Sequence, residues 1–294
     1  MKKSVYLIVL IFLLLFTTCS KDEDYSLNIS DYRLKQRIIT YENGILANKI
    51  KENYIYDGER LVKFEEIVSY DEGDAMDYYE FSYDDNLATG QKHYTELSSL
   101  CVKTTYLIEN GLTKEEKIYG ICNISDWELS SQLTYDYSGS NLISATYESF
   151  GSDARKDKIQ YTYDGNNLIQ KSYFLWKDGS WEEKNYKYVF SYNGDKLDKK
   201  ITYTNNKESH LIEYSYSGDF LTKINYFIPN EGTGEWDSNG TVTIDYDSNG
   251  NVSKIIREDK IEEYLYEEGK GNLSNFHMDE RTHYGTIDGV NVMI

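Results

Sequence analysis

The chain has 294 residues, 39% of them hydrophobic, which is enough apolar matter for a packed core and excludes a disordered tail. Thirty tyrosines against a single proline, Pro229, favour pleated strands over helices or polyproline segments. A formal net charge of −19 argues against a nucleic-acid partner, which requires basic patches, and is the ordinary means of keeping a sheet-rich protein soluble.

The first element is a leader. Lys2 and Lys3 precede an apolar run from Val5 to Phe16, too short to span a bilayer comfortably and flanked like a secretory signal. Cys19 follows directly. The arrangement resembles a bacterial lipoprotein signal, with Phe16 where leucine is usual and Thr18 where a smaller residue is usual. It implies a signal peptide over 1–18, cleavage before Cys19 and lipid on that cysteine. Residues 19–35 then read as a tether. Its Ser20-Lys21-Asp22-Glu23-Asp24 resembles the acidic signal that sends some lipoproteins to the outer face of the outer membrane, the periplasmic face being the alternative.

From residue 36 onward the chain repeats itself. Tyr41-Glu-Asn-Gly, Tyr56-Asp-Gly, Tyr83-Asp-Asp-Asn, Tyr135-Asp, Tyr163-Asp-Gly-Asn, Tyr192-Asn-Gly-Asp, Tyr216-Ser-Gly-Asp, Tyr246-Asp-Ser-Asn-Gly-Asn and Tyr266-Glu-Glu-Gly recur, with a degenerate copy over Leu107 to Leu112. In Tyr161–Tyr173 the logic is plain. Ile159, Tyr161 and Tyr163 alternate with Gln160 and Thr162, so they share one face of a strand. Asp164-Gly165-Asn166-Asn167 tolerates positive φ and reverses the chain, and Leu168 begins the return. Returns such as Leu61-Val-Lys-Phe, Leu221-Thr-Lys-Ile and Val252-Ser-Lys-Ile carry apolar groups at the first and fourth places, which breaks alternation and predicts a bulge just after the turn. About ten hairpins in series are expected, hence 18 to 20 antiparallel strands.

Within the series, Cys101 and Cys122 bracket the Asn110-Gly111 turn at spacings that set them opposite each other. In an oxidising compartment they form either a disulfide or two buried thiols. Asp126-Trp127-Glu128, Ser180-Trp181-Glu182 and Glu235-Trp236-Asp237 each fall in the connection at the far end of the sheet from the Gly/Asn turns. Trp127, Trp181 and Trp236, with Trp176 nearby, therefore read either as one exposed ligand rim suited to sugar rings or as caps over their own hairpins. Asp245-x-Asp247-x-Asn249-Gly250 mimics a calcium loop but has Ile256 where the bidentate Glu belongs, and His277 and His283 match no zinc spacing.

The repeats resemble YD repeats, the tyrosine-aspartate units of rearrangement-hotspot proteins and of many outer-membrane lipoproteins of unknown function. The resemblance covers roughly residues 38 to 275. It implies an all-β fold: a long antiparallel meander, coiled or closed into a barrel-like sheet over residues 36–294, with porin-like shapes among the smaller relatives. Charges on both strand faces, as in Lys184-Asn-Tyr-Lys-Tyr, argue against insertion into lipid. No catalytic set, metal site or cofactor motif stands out. The expected function is a non-catalytic surface lipoprotein, held to the membrane by its lipid, that binds a glycan or protein ligand. The alternative is a structural component packed against an outer-membrane partner.

Overall fold

The computed structural model describes residues 32–41, 49–58, 60–70, 73–84, 87–94, 100–110, 112–120, 128–151, 154–230, 232–268, 286–287 and 290–291. Strands follow one another directly: β1 (Tyr32–Tyr41), β2 (Lys49–Asp57), β3 (Arg60–Tyr70), β4 (Gly73–Asp84), β5 (Leu87–Tyr94) and β6 (Leu100–Glu109). Then come β7 (Leu112–Tyr119), β8 (Leu129–Ser138), β9 (Asn141–Ser149), β10 (Lys156–Asp164), β11 (Asn167–Lys177) and β12 (Ser180–Asn193). The last are β13 (Lys196–Thr204), β14 (Lys207–Ser217), β15 (Phe220–Pro229), β16 (Trp236–Tyr246), β17 (Val252–Ile256) and β18 (Lys260–Glu268). A two-residue ladder, β19 (Thr286–Ile287) with β20 (Val290–Asn291), stands apart.

Each strand pairs antiparallel with its neighbours in sequence, and β1 also pairs with β18. The 18-stranded sheet is therefore a closed up-and-down barrel. β1 begins at Tyr32, inside the stretch that the sequence assigned to a tether.

Alternation decides what points inward. On β10, Asp157, Ile159 and Tyr161 are buried while Lys156, Lys158 and Gln160 are not. A round barrel of 18 strands would enclose a channel. Leu34, Leu61, Ile224, Val252 and Ile255 are nevertheless fully buried and belong to one core cluster with Tyr54, Tyr135, Tyr161, Tyr214 and Tyr264. Opposite walls must then approach to side-chain contact, about 10 Å as in stacked sheets. The outer face carries charged and polar groups such as Lys49, Lys51, Asn53 and Asp57 on β2, and Gln132, Thr134 and Asp136 on β8. A lipid-facing barrel would show an apolar band there. No helix among the described residues is long and apolar enough to cross a membrane.

The repeat now has a structural cause. At nine places the register slips by one residue just after the turn, as where Tyr163 faces Leu168 but Thr162 faces Gln170. The bulge turns the first and fourth return residues inward together: Leu61 and Phe64, Leu168 and Lys171, Leu221 and Ile224, Val252 and Ile255 are all buried. It also disturbs the ladder beside the first return residue. The repeat tyrosine of the next hairpin answers: Tyr83 Oη donates to the Leu61 carbonyl at 2.6 Å, Tyr192 to Leu168 at 3.0 Å, Tyr246 to Leu221 at 2.9 Å and Tyr266 to Val252 at 2.9 Å. Tyrosine suits the role because its ring reaches across a strand, packs on the core and ends in a donor.

Nine such hairpins, not ten, make up the barrel. The signal at Tyr41 is out of phase, lying at the opposite end of the barrel, between β1 and β2. The ninth hairpin is discontinuous. Tyr266 on β18 faces Leu34 on β1, a bulge follows at Leu34/Gln36, and Leu34 and Arg37 take the buried first and fourth places. Tyr56 Oη serves this hairpin in the same way, donating to the Leu34 carbonyl at 2.9 Å.

Arg37 locks this seam. Its guanidinium reaches both oxygens of Glu52 on β2 at 3.2 Å and Glu262 Oε2 on β18 at 3.0 Å, all three side chains being buried. Tyr54 and Tyr264 donate to the same two carboxylates at 2.7 and 2.9 Å. Such a network adds little net stability against an apolar substitute, but removing one member strands the others. Its position on the closing strand makes it a register lock.

Candidate functional site

A cluster of large aromatic rings with one largely accessible member lies around β11 and β12. Asp178 and Gly179, both at positive φ, make the tight turn between these strands, and their register sets Trp176 opposite Trp181. The two rings meet edge to face at 5.2 Å. One pair further down, Phe174 faces Lys158 across β10–β11, and the Lys158 ammonium lies 5.0 Å from the Phe174 ring and 4.6 Å from Trp181. Trp176 is 43% exposed and Trp181 half-buried.

A shallow groove runs from Trp181 across β10, β9 and β8. Lys158, Gln160, Thr162, Thr146, Ser144 and Asp136 line it. Strand pairing generates it: Thr134, Thr146, Lys158 and Phe174 form one cross-strand row, and Asp136, Ser144 and Gln160 the next. Ser144 Oγ donates to Asp136 Oδ2 at 2.6 Å. An indole platform beside uncharged hydroxyl and amide groups can stack on a flat apolar surface while bonding hydroxyls around it.

Trp236 opens β16 opposite Pro229, at the same end of the barrel as Trp181. Four strand steps separate them, roughly 19 Å across the sheet, so the structure pairs Trp181 with Trp176 and sets Trp236 apart. Cys19, Trp127, Cys122, His277 and His283 lie outside the described residues. The Cys101 backbone belongs to β6, whose described pairing with β7 ends at Lys103 and Tyr119.

The calcium-like loop has another use. Asp247 Oδ1 accepts from the Asn249 and Asn251 amides at 2.8 and 2.9 Å, and its Oδ2 from Asn251 Nδ2 at 3.1 Å, so the carboxylate builds the turn. Among the described residues no group of three or more His, Cys, Asp or Glu side chains is placed to hold a metal.

Sequence reasoning missed the interior polar groups. Glu116 on β7 is buried, with Tyr135 Oη donating to it at 3.2 Å, and burial pushes its carboxyl up to about 7. Tyr106 lies directly opposite, its phenol raised by burial and then by Glu116. Thr104 Oγ1 and Tyr137 Oη are buried without a hydrogen-bond partner. The available signal was Glu116 itself, which stands at the fourth place of a return where other copies have Phe64, Ile224 or Ile255. Phe174 and Lys158 were legible from hairpin counting around Gly165.

No family model matches this chain, and no curated protein matches it. Solved structures do. A porin-like protein from Bacteroides uniformis ATCC 8492 superposes with a TM-score of 0.46 at 10% identity, covering 80% of this chain and 98% of that one. A protein of unknown function from Bacteroides fragilis NCTC 9343 gives a TM-score of 0.25 at 14% identity, over 48% of this chain and 89% of its own. What the chain does must be argued from its own side chains.

Proposed function

We propose that this protein is a non-catalytic lipoprotein of the outer membrane, anchored through Cys19 and facing the cell surface, whose barrel is a ligand-binding module. The ligand is a glycan or a protein, and its contact surface is the outer face of β8–β12. The observation that carries the reading is the pairing of exposed Trp176 with half-buried Trp181, the latter at the head of a polar groove. Large aromatic rings left in water on a sheet face mark interaction surfaces when they cluster. The polar outer wall supports the anchor: it offers lipid no apolar band, so membrane residence falls to the acyl chains.

The test is binding of the soluble chain starting at Ser20 to an array of glycans and candidate surface proteins, with the double variant Trp176→Ala, Trp181→Ala alongside. Ligands lost by the double variant support the reading. Ligands retained in full by it place binding elsewhere and refute the site.

A further inference from the structure

We infer that the outer groove over β8–β12 takes a neutral oligosaccharide chain lying across the strands, an inference that rests on the ligand-binding reading above. Length is the first argument. The lining extends from Trp181 on β12 to Asp136 on β8, four strand spacings or roughly 19 Å, which suits several sugar units in a row better than one. The groove is open and shallow, so a chain can enter and leave it along its length.

Chemistry is the second argument. Between Lys158 and Asp136, the lining residues Thr146, Ser144, Gln160 and Thr162 present uncharged donors and acceptors. A chain of sugar hydroxyls needs groups that both donate and accept, which hydroxyl and amide side chains supply. The Trp181 ring at one end supplies the flat apolar surface.

Charge is the third. Lys158 has no carboxylate in ion-pair reach among the described residues, but its ammonium is turned onto the Phe174 and Trp181 rings, where it satisfies itself by cation–π attraction. Asp136 faces the same groove and offsets it. Locally the surface is close to neutral, while the whole chain, at −19, repels polyanions approaching from solution. An acidic polysaccharide therefore meets an unfavourable far field and no dedicated cation.

Affinity electrophoresis tests this. The soluble chain starting at Ser20 is run in native gels containing neutral polysaccharides (a soluble glucan, mannan or xylan) or acidic ones (pectate or alginate). Retardation is expected in at least one neutral gel. Trp181→Ala should weaken that retention about 5- to 100-fold, the range of one lost stacking contact, Gln160→Ala and Thr162→Ala together should weaken it further, and Trp236→Ala should leave it unchanged. Because Gln160 and Thr162 are exposed, their double variant tests the groove even if Trp181→Ala fails to fold. Retardation only in acidic gels, lost with Trp181→Ala, overturns the neutral class and leaves the ligand-binding site standing. Neutral binding indifferent to all the outer-face changes overturns both. Absence of retardation in every neutral gel overturns this inference, and the array above then decides the broader reading.

Discussion

Replacing Glu116 with glutamine should stabilise the barrel at neutral pH. The buried Glu116 carboxyl stands between Tyr106 on β6 and Leu133 on β8, and accepts a hydrogen bond from Tyr135 Oη. Burial raises it from 4.5 to about 7. The folded state thus keeps the proton up to about pH 7, whereas the unfolded chain releases it near 4.5. Between these values the folded state binds more protons, so stability falls as pH rises. The penalty is absent below the unfolded value and reaches its full size, roughly 3 kcal/mol at 1.36 kcal/mol per unit, above the folded one. Glutamine keeps an acceptor for Tyr135 and never ionises. Urea denaturation of wild type and Glu116→Gln from about pH 4 to about pH 8 should show near-equal stability at the acid end and a gap opening in favour of the variant. A gap that does not change with pH, or a variant weaker throughout, would refute the account of Glu116 as a carboxyl held neutral by burial.

Other expectations follow from the same structure. Tyr83→Phe and Tyr246→Phe, by leaving a leucine carbonyl without its phenol donor, should each cost about 1 to 3 kcal/mol in denaturant melts; no loss would mean that water or backbone satisfies the bulge. Arg37→Ala, which strands Glu52 and Glu262, should cost about 3 to 5 kcal/mol, and Arg37→Met should recover part of it; the comparison by thermal unfolding separates lost charge from lost packing. Trp176→Ala should change the melting temperature little, since that side chain is exposed and its ring meets Trp181 only edge-on, and a loss of several kcal/mol would mark it as a cap. Labelling with a palmitate analogue should mark the wild-type chain and miss Cys19→Ala, equal labelling refuting the anchor.

Much of the fold was readable because strand periodicity and turn chemistry agree. Tyr163-Asp-Gly-Asn-Asn-Leu168 fixes a reversal, and the apolar spacing of Leu221 and Ile224 in a sister return announces the bulge. Closure was less legible. Nothing local in Leu34-Lys-Gln-Arg37 marks it as the return strand of a hairpin whose outbound strand ends at Glu268, because the partner lies at the other end of the chain. Tyr41-Glu-Asn-Gly misled for the opposite reason: the tetrapeptide is a good turn wherever it falls, and only pairing shows which end of the barrel it serves. At the site, the tryptophans were visible as residue types at hairpin tips. That Trp176 and Trp181 meet depends on the register set by Asp178-Gly179, and the neutral groove beside them depends on five strands lying side by side.

The hairpin assembled from opposite ends of the chain bears on how the protein is made. β1 is the first strand to be synthesised and β18 the last of the eighteen, so the contact between Leu34 and Tyr266 spans nearly the whole sequence. Until β18 arrives, the growing sheet has two raw margins and the Arg37–Glu52 pair lacks Glu262. Pairings this distant in sequence are slow to form, because the loop entropy is spent before the contact rewards it. A chain ending before Lys260 would thus leave an open sheet with two unpaired borders, each a template for another chain. The strand that closes the barrel is therefore also the one that removes its last edges.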